Sequence, residues 1–283
     1  MKYLIIGKHG QLTKEFQRLL SSKGEEYIAL SHEEADVRDY VKLNRVFEAY
    51  KPSVVINCSA YNQVDKAESD YEEAMKVNAL GPYNLALLCK EYGSFLVHYS
   101  TDYVFDGSKS EGLYTEADEP NPLNKYGLSK LLGELFAMQT AHNMLLLRVS
   151  WVFGEGTQNF VYKVLNWSRE REVLQVSVDE VSVPTWARRI ALVSYEAVNK
   201  GLTGLYHLVS SGHASRYEWA KQVLKLCHKE NLVVPVSADT FNLPARRPKF
   251  SAMSNERISA ELGIMLPDWE SDLEEYLREA KYE

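Results

Sequence analysis

The sequence predicts an α/β protein with a doubly wound parallel sheet of the Rossmann type, followed by a smaller C-terminal lobe. Three features predict this fold. Short apolar segments alternate with segments whose apolar residues recur at helical spacing. The apolar segments show no inside–outside alternation, which is typical of parallel strands covered on both faces. A turn that carries two glycines joins the first strand to the first helix.

The first βα unit begins with a strand in "YLIIG" and continues as a helix through "KHGQLTKEFQRLLSSKG". Leu12, Phe16 and Leu19 recur at helical spacing, and Gly24 is a typical C-terminal cap. "YIAL" then predicts a second strand. "YVKLNRVFEAY" predicts a second helix, which ends before Pro52.

The alternation continues with a third strand in "SVVIN" and a long helix through "YEEAMKVNALGPYNLALLCKEYG". Within this helix, Gly81 and Pro82 predict an irregularity, because proline lacks a backbone donor. "SFLVHYS" predicts a fourth strand, "YGLSKLLGELFAMQ" a fourth long helix and "MLLLRVS" a fifth strand. Repeated βα units of this length predict helices on both faces of one sheet.

After residue 150 the alternation weakens. Short apolar segments ("VLQVSV", "GLYHLV") are mixed with helices such as "RYEWAKQVLKLCHKE" and "DWESDLEEYLREA". We therefore expect a sheet domain in residues 1–150 and a smaller lobe in residues 151–283, with some segments of the second returning to the first.

Composition excludes several classes of protein. Hydrophobic residues make up 45% and charged residues 25%, as in ordinary globular proteins. A net charge of −7 argues against a nucleic-acid surface. The three cysteines form no C-x-x-C pair and H-E-x-x-H is absent, so neither a disulfide framework nor a metal site is expected. Apolar runs fall short of the ~20 residues that cross a bilayer, and "MKYLIIG" is too short for a signal peptide, so we expect a cytoplasmic protein without a membrane partner.

The glycine turn "GKHGQLT" predicts a dinucleotide site. Gly7 directly follows the first strand, and Gly10 opens the helix. Glycines let the backbone approach a pyrophosphate, and the helix N-terminus offers unpaired N–H groups. The third position of the motif is Thr13 instead of glycine or alanine.

The end of the second strand predicts the choice of coenzyme. It carries Ser31 and His32 and lacks the carboxylate that would bind a ribose 2′-hydroxyl. NADPH is therefore expected, with NADH also acceptable. In the alternative interpretation, Glu33 or Glu34 reaches back to bind the ribose. We expect Asp36 to face the adenine across the edge of the sheet.

A tyrosine–lysine pair in "NPLNKYGLSK" predicts acid–base chemistry. Tyr126 and Lys130 are four residues apart and share one face of a helix, and the prolines upstream place Tyr126 in its first turn. A phenol titrates near ~10. Lowering this pKa to about 7 requires that the phenolate be stabilised over the phenol by roughly 4 kcal/mol. One cation at ~4 Å supplies about that at an effective dielectric of ~20. Tyr126 is therefore expected to be a general acid that Lys130 acidifies.

The spacing alone does not identify a site, because Tyr217 and Lys221 share it. Tyr126 differs in its context. It follows a strand ending in "YSTDYVF", whose Ser100 and Thr101 hydroxyls should emerge at the carboxyl edge of the sheet. Ligands bind at that edge in folds of this type.

Taken together, these motifs resemble the dTDP-4-dehydrorhamnose reductase family of extended short-chain dehydrogenases/reductases over nearly the whole chain. The matching stretches are "GKHGQL", "NCSAYNQVDKAESD", "VNALGPYNLA", "YSTDYVFDG", "YGLSKLLGE", "LRVSWVFG", "VPTWA" and "ARRPKFSAMSN". The resemblance implies NADPH-dependent reduction of the C4 ketone of a nucleotide-linked 4-keto-6-deoxy sugar. In the usual form of this reaction, dTDP-4-dehydro-L-rhamnose is reduced to dTDP-L-rhamnose for the synthesis of cell-surface polysaccharide.

The resemblance also implies roles for individual residues. Tyr126 would protonate the ketone oxygen, Thr101 would polarise the carbonyl, and Lys130 would lower the pKa of Tyr126 and hold the nicotinamide ribose. The implied cofactor-binding residues are Gly7, His9, Gly10, Gln11, Leu12, Asp36, Val37, Cys58, Ser59, Ala60, Tyr61, Asn78, Tyr126 and Lys130. The implied substrate-binding residues, partly in the second lobe, are Asp102, Tyr103, Trp151, Thr185, Arg246 and Arg247.

Several of these substrate assignments have simpler alternatives. Trp151 could be a core residue, Asp102 and Tyr103 could cap the next turn, and the two arginines could lie in a solvated loop. Departures from the family pattern also leave the sugar open. Thr13 stands where glycine is common, and "DEVSVPT" replaces D-Q-x-G-x-P-T, with Glu180 for glutamine and Ser182 for glycine.

Two other functions remain open at this stage. One is an epimerase or dehydratase of the same superfamily, and the other is a non-catalytic regulatory subunit that keeps the nucleotide site. The expected partner is a nucleotide sugar, and a homodimer is compatible with the resemblance.

Overall fold

The structure is a computed structural model that describes residues 1–280. Its central sheet has six strands, all parallel, and the smaller strands pair in twos. The strands are β1 (Lys2–Ile6), β2 (Glu26–Leu30), β3 (Val54–Asn57), β4 (Phe95–Thr101), β5 (Met144–Val149), β6 (Val152–Phe153), β7 (Val173–Ser177), β8 (Val181–Ser182), β9 (Thr185–Trp186), β10 (Gly204–His207), β11 (Ala214–Ser215) and β12 (Leu232–Val236).

Helices follow the strands in the predicted alternation, and within residues 1–280 none is long and apolar enough to cross a membrane. Short 3₁₀ helices at Lys66–Glu68, Asp102–Val104 and Ala238–Phe241 and a π-helical turn at Lys76–Leu80 supplement the α-helices. These are α1 (Gln11–Ser22), α2 (Tyr40–Tyr50), α3 (Tyr71–Met75), α4 (Gly81–Tyr92), α5 (Lys125–Thr140), α6 (Phe160–Glu170), α7 (Ala187–Asn199), α8 (Arg216–Leu226), α9 (Glu256–Leu262) and α10 (Trp269–Ala280).

The main sheet has the order β10-β5-β4-β3-β1-β2. The chain moves to one side from β1 to β2, then crosses back past β1 to β3 and continues to the other side through β4 and β5, so the order reverses between β1 and β3. Helices cover both faces, which confirms the predicted doubly wound architecture. In such sheets the crevice at the carboxyl ends of the strands, at the point of reversal, is where ligands bind.

Each face of the sheet has its own apolar core. On one face, α1, α7 and α9 contribute buried residues that include Phe16, Ile190 and Ile258. On the other, α2 and α4 contribute Phe47 and Leu88, with α5 beside them. Two helices of the first face, α7 and α9, come from the chain beyond residue 150, and so does the edge strand β10.

The remaining segments beyond residue 150 form a second core. It is aromatic, with Phe153, Trp186, Trp219 and Tyr276 packed together. Helices α6, α8 and α10 surround it, with the β7–β12 pair at its side. Because the second half of the chain supplies parts of both cores, the division at residue 150 stays a prediction.

The irregularity predicted in the third helical segment is confirmed. The π-helical turn Lys76–Leu80 directly precedes α4, which has proline in its first turn. Pro82 cannot donate a helical hydrogen bond, so the chain changes its helical register there. The carbonyl of Asn78 packs against α5, where a Cβ at Gly133 would lie 2.1 Å from the carbonyl oxygen.

Candidate active site

The glycine turn after β1 has the geometry that a pyrophosphate needs. Gly7 has φ +100°, and a Cβ there would lie 3.0 Å from the backbone nitrogen of Ser59. Gly10 precedes α1 with no side-chain cap, so the first N–H groups of the helix remain open. The Thr13 hydroxyl donates to the Gly7 carbonyl at 2.7 Å, which fastens the helix to the turn. The residues present therefore fit a dinucleotide.

Most of the predicted cofactor residues line one groove at the sheet's point of reversal. Two more, Gln11 and Leu12, line the adjoining cavity that also holds the predicted catalytic residues. The groove itself contains Gly7, His9, Gly10, Asp36, Val37, Cys58, Ser59, Ala60 and Tyr61.

Asn78 lies behind the residues that form the wall of this groove. Its side chain is buried, accepts from the backbone N–H of Tyr61 at 2.9 Å and donates to the carbonyl of the same residue at 3.1 Å. It also donates to the Ser129 hydroxyl at 3.0 Å. These bonds use its amide, so the structure places Asn78 in the support of the wall instead of its lining.

The chain directly after β2 has Ser31 and His32 where a carboxylate would bind the ribose. Glu34 accepts from the backbone N–H of Ser31 at 2.8 Å, and Glu33 pairs with His32 in solvent. Asp36 accepts three side-chain hydrogen bonds from Arg38, which hold the pKa of that carboxyl below its usual value. Asp36 is thus occupied by a neighbour instead of being free to face an adenine.

The predicted catalytic residues converge. Thr101 ends β4, and Tyr126 lies in the first turn of α5, whose N-cap residue Asn124 accepts from the Gly127 N–H at 2.8 Å. A Cβ at Gly127 would lie 2.2 Å from the carbonyl oxygen of Tyr103, so only glycine lets the helix start this close to the segment after β4. Thr101, Tyr126 and Lys130 line one cavity.

The lowering of the pKa of Tyr126 by Lys130 stays a prediction, and burial acts in the opposite direction. Burial raises the pKa of Tyr126 above 10, and the neighbouring Thr101 hydroxyl opposes this only in part. Lys130 is itself buried and donates to the Tyr99 carbonyl at 2.5 Å. Burial lowers the pKa of Lys130 to about 8. The phenol therefore stays protonated at neutral pH, which is the state that a proton donor requires.

Asp102 is buried and accepts hydrogen bonds from other side chains of the protein. It is 2% exposed, and its Oδ2 accepts from Ser182 at 2.7 Å and from Ser251 at 2.6 Å. Its Oδ1 accepts from Thr101 at 3.2 Å. Burial raises the pKa of Asp102, and these hydroxyls oppose that shift. Asp102 thus links Thr101 to the second half of the chain, and Ser182, a departure from the family pattern, takes part in the link.

The other predicted substrate residues have different surroundings. Tyr103 is buried and meets the ring of Tyr126 edge-on, with centroids 6.0 Å apart. Trp151 lines the catalytic cavity with φ +40°, a conformation rare for a bulky residue. Thr185 is fully buried and donates to the Val183 carbonyl at 3.1 Å, away from the cavity.

The arginines predicted for substrate binding line a second cavity with Glu180. Arg246 is exposed, whereas Arg247 forms a bidentate pair with Asp65, at 2.7 and 3.1 Å. Sequence reasoning missed Arg216, whose guanidinium lies 3.6 Å above the Trp151 ring. One signal was available: Arg216 is the first residue of α8, the end where a helix dipole disfavours a cation.

The arrangement fits carbonyl reduction. A protonated phenol and a threonine hydroxyl meet in a cavity that continues into a dinucleotide groove. A ketone held there would have a proton donor beside its oxygen and room for a nicotinamide beside its carbon.

Comparison with known proteins agrees with this geometry. A family profile described as "RmlD substrate binding domain" matches residues 1–282. The dTDP-4-dehydrorhamnose reductase of Burkholderia thailandensis is 38% identical over 286 residues, which cover 95% of this chain and 95% of that protein.

Two crystal structures share the fold closely. A dTDP-4-dehydrorhamnose reductase from Clostridium acetobutylicum has a TM-score of 0.96 at 36% identity, covering 99% of this chain and 100% of that one. The Bacillus anthracis enzyme of the same name, solved with NADP, has a TM-score of 0.94 at 32% identity, covering 98% and 99%. The chain therefore belongs to the dTDP-4-dehydrorhamnose reductase family of extended short-chain dehydrogenases/reductases.

Proposed function

We propose that this protein reduces the C4 ketone of a nucleotide-linked 4-keto-6-deoxy sugar with NADPH. The substrate is dTDP-4-dehydro-L-rhamnose, and the product is dTDP-L-rhamnose for cell-surface polysaccharide. The observation that carries the proposal is the convergence of Thr101, Tyr126 and Lys130 beside an open helix N-terminus. Relatives named for this reaction support the choice of substrate.

In this proposal each residue has a different role, which follows from where it lies in the cavity. Bound NADPH supplies a hydride to the ketone carbon. Tyr126 donates its proton to the ketone oxygen. The Thr101 hydroxyl, which donates to Asp102 in the structure, would turn from Asp102 to the ketone oxygen to polarise the carbonyl. Lys130 places a positive charge at the base of the cavity, which favours the developing alkoxide.

NADPH is the preferred coenzyme in this proposal, and NADH is accepted. Lys8 and Arg38 line the groove beside Ser31. Each is paired with a carboxylate, Lys8 with Glu34 and Arg38 with Asp36, and a 2′-phosphate would compete for these cations. The position at the end of β2 that usually carries the acid for a ribose 2′-hydroxyl has Ser31 and His32 instead, so that source of repulsion is absent there, although Glu33 and Asp36 line the groove nearby. The NADP in the Bacillus anthracis relative supports this preference.

The test of the proposal is Tyr126→Phe. We expect kcat for NADPH oxidation with dTDP-4-dehydro-L-rhamnose to fall at least about 100-fold, while NADPH affinity, measured by fluorescence titration, stays the same. The matched control is Tyr217→Phe, because Tyr217 also precedes a lysine by four residues but lies on α8 outside the catalytic cavity.

Each rival function has its own outcome in this assay. Undiminished turnover in Tyr126→Phe would contradict the assigned proton donor. An epimerase or dehydratase would consume no added NADPH. A regulatory subunit would bind NADPH and reduce none of a panel of dTDP-, GDP- and UDP-linked ketosugars.

We also propose that the protein works in the cytoplasm as a homodimer. Tyr83 on α4 and Leu128, Leu135 and Met138 on α5 are large apolar side chains exposed to solvent, a face that a second copy could cover. Cys89 is a free thiol, as is usual in a reducing compartment. Sedimentation equilibrium that gives a monomer at micromolar concentration would contradict the dimer.

A further inference from the structure

Gln11 lies where the dinucleotide groove adjoins the catalytic cavity. It is the first residue of α1, so its backbone N–H is among those left open at the helix N-terminus. Within residues 1–280, the lining of the groove does not include Gln11, which instead lines the catalytic cavity. Its side-chain Nε2 donates to the carbonyl oxygen of Val152 at 3.0 Å. The backbone of Gln11 is thus placed for a cofactor, whereas its side chain contacts the segment that begins at Trp151.

This segment begins with a strained residue. Trp151 has φ +40°, a costly backbone conformation that persists only where the surrounding structure enforces it. Its ring lies 3.6 Å from the guanidinium of Arg216 and stacks on Trp219, with centroids 5.5 Å apart and planes at 9°. These contacts hold the ring, whereas the conformation of the backbone needs contacts of its own. Because Trp151 lines the catalytic cavity, a change in this backbone would move a wall of the cavity.

Hydrogen bonds to other elements fix the backbone around Trp151. The hydroxyl of Ser150 donates to the carbonyl of Val183 at 2.6 Å. The carbonyl of Trp151 accepts from the backbone N–H of Thr185 at 3.3 Å. The next carbonyl along the chain accepts from Gln11. The first two bonds join the segment to the chain between β8 and β9, and the third joins it to the cofactor helix.

Other contacts show how closely α1 packs against the same segment. Lys14 and Arg18 follow Gln11 at helical spacing, and both form ion pairs with Glu155. A Cβ at Gly154 would lie 3.8 Å from the Cβ of Gln11, which is ordinary contact distance. The side chains of the ion pairs are 39–52% exposed, so water screens them and they contribute little. The hydrogen bond from Gln11 is partly buried and is therefore the contact best able to hold the segment.

We propose that the side chain of Gln11 is a positioning residue for the sugar: through the Val152 carbonyl it holds Trp151 against the catalytic cavity, while the cofactor uses only the backbone of Gln11. The inference rests on the proposed function, because it takes the space beside Tyr126 as the place of the sugar. An amide suits this role, since it is neutral and its NH2 group supplies the donor that the carbonyl needs. Without that donor a partly buried carbonyl is left unpaired, and the strained backbone is free to relax.

The first test is Gln11→Met, which keeps the length of the side chain and removes the donor. We expect KM for dTDP-4-dehydro-L-rhamnose to rise at least about fivefold, because the carbonyl loses its partner. The fall in kcat should be smaller, because the candidate catalytic residues stay in place. NADPH affinity, measured by fluorescence titration, should stay the same, because the backbone N–H is retained. Gln11→His should restore most of the wild-type KM, since its Nε2–H can donate to the same carbonyl.

The matched control is Glu155→Gln. It alters the same segment and removes the ion pairs with α1, which are exposed to solvent. We expect KM and kcat of this variant to stay within about twofold of the wild type. A rise in KM as large as that of Gln11→Met would show that any loosening of the segment has this effect, and it would overturn the specific role of Gln11.

The second test observes Trp151 directly and needs no substrate. Trp151 stacks on Trp219, and a fixed pair of indole rings contributes to the near-ultraviolet circular dichroism. The difference between the spectra of the wild type and Trp151→Phe defines the contribution of Trp151. We expect Gln11→Met to lose most of this signal, and Gln11→His and Glu155→Gln to retain it.

Weaker NADPH binding with an unchanged KM in Gln11→Met would assign the side chain to the cofactor and overturn the inference. A raised KM with an unchanged Trp151 signal would also overturn it, because the effect would not pass through Trp151. These results are distinguishable from failure of the proposed function. If the wild-type protein reduces no ketosugar yet the Trp151 signal depends on Gln11, the reaction is wrong and the role of Gln11 in holding Trp151 stands. If it reduces the ketosugar and Gln11→Met changes neither KM nor the signal, the reaction stands and the inference is wrong.

Discussion

Lys130 carries a charge that its surroundings disfavour. Its side chain is 2% exposed, its Nζ donates to one backbone carbonyl, and burial lowers its pKa to about 8. Relative to an ordinary lysine, that shift corresponds to roughly 3 kcal/mol against the charged native state. A buried cation held at this cost is typical of a functional group.

The pH dependence of stability follows from this shift, and Lys130→Met tests it. Below pH 8 both states hold the proton and the native state bears the full cost. Between pH 8 and about 10.4 only the unfolded state keeps it, so stability rises with pH there. Without cofactor, Lys130→Met should therefore melt above the wild type at pH 7, and its advantage should shrink towards pH 10.

Thermal unfolding at both pH values measures the effect, with Lys221→Met as the control for loss of a lysine outside the cavity. A Tm for Lys130→Met several degrees below the wild type at pH 7 would show that the hydrogen bond to Tyr99 outweighs the burial of charge. The variant should also lose most of its reductase activity, which would separate the functional need for Lys130 from its effect on folding.

Short spacings made the candidate catalytic residues predictable, whereas the residues joined by long-range contacts could not be predicted from local pattern. Tyr126 and Lys130 are neighbours on one helix, and Thr101 ends a strand, so local pattern places all three. The partners of Asp102 are 80 and 149 positions away in the chain, and no periodicity links them. The same applies to the shifted pKa of Tyr126, which depends on burial that the fold as a whole creates.

At the scale of elements, the helical pattern of α5 predicts the helix but not how closely the helix packs against its neighbours. Its existence and its start near Tyr126 were predictable from spacing and the upstream prolines. Its two glycines, Gly127 and Gly133, weaken the helix by about 1 kcal/mol each relative to alanine. The structure supplies their reason, because a Cβ at either position would lie 2.1–2.2 Å from a backbone oxygen of a neighbouring segment. Close approach of that kind is a tertiary property.

The π-helical turn before α4 is a second case. Gly81 and Pro82 predicted an irregularity, and the missing N–H of proline is a sufficient reason for one. Its type was not predictable, since the Asn78 carbonyl within it packs against Gly133, and the Asn78 side chain supports Tyr61. The sequence signal was local, whereas the conformation depends on two distant elements.

At the scale of the whole molecule, the two halves of the chain share their cores. The predicted sheet domain ends at residue 150, but β10 pairs with β5, and α7 packs beside α1 on the same face of the sheet. The candidate catalytic cavity also depends on this sharing. The catalytic cavity takes Thr101 from one half and Trp151 from the other, and Asp102 joins the halves through Ser182 and Ser251.

This sharing predicts that a fragment of residues 1–150 will not fold cooperatively. The fragment lacks Ile190, Val193, Tyr206 and Leu208, which are buried in the core on that face. Burying four such side chains stabilises a protein by roughly 8 kcal/mol, and total stabilities are only about 5–15 kcal/mol. We expect the fragment to show helical far-ultraviolet circular dichroism without a sharp thermal transition, whereas the full chain melts in one. A cooperative transition in the fragment, with fixed aromatic side chains in its near-ultraviolet spectrum, would instead establish residue 150 as a true folding boundary.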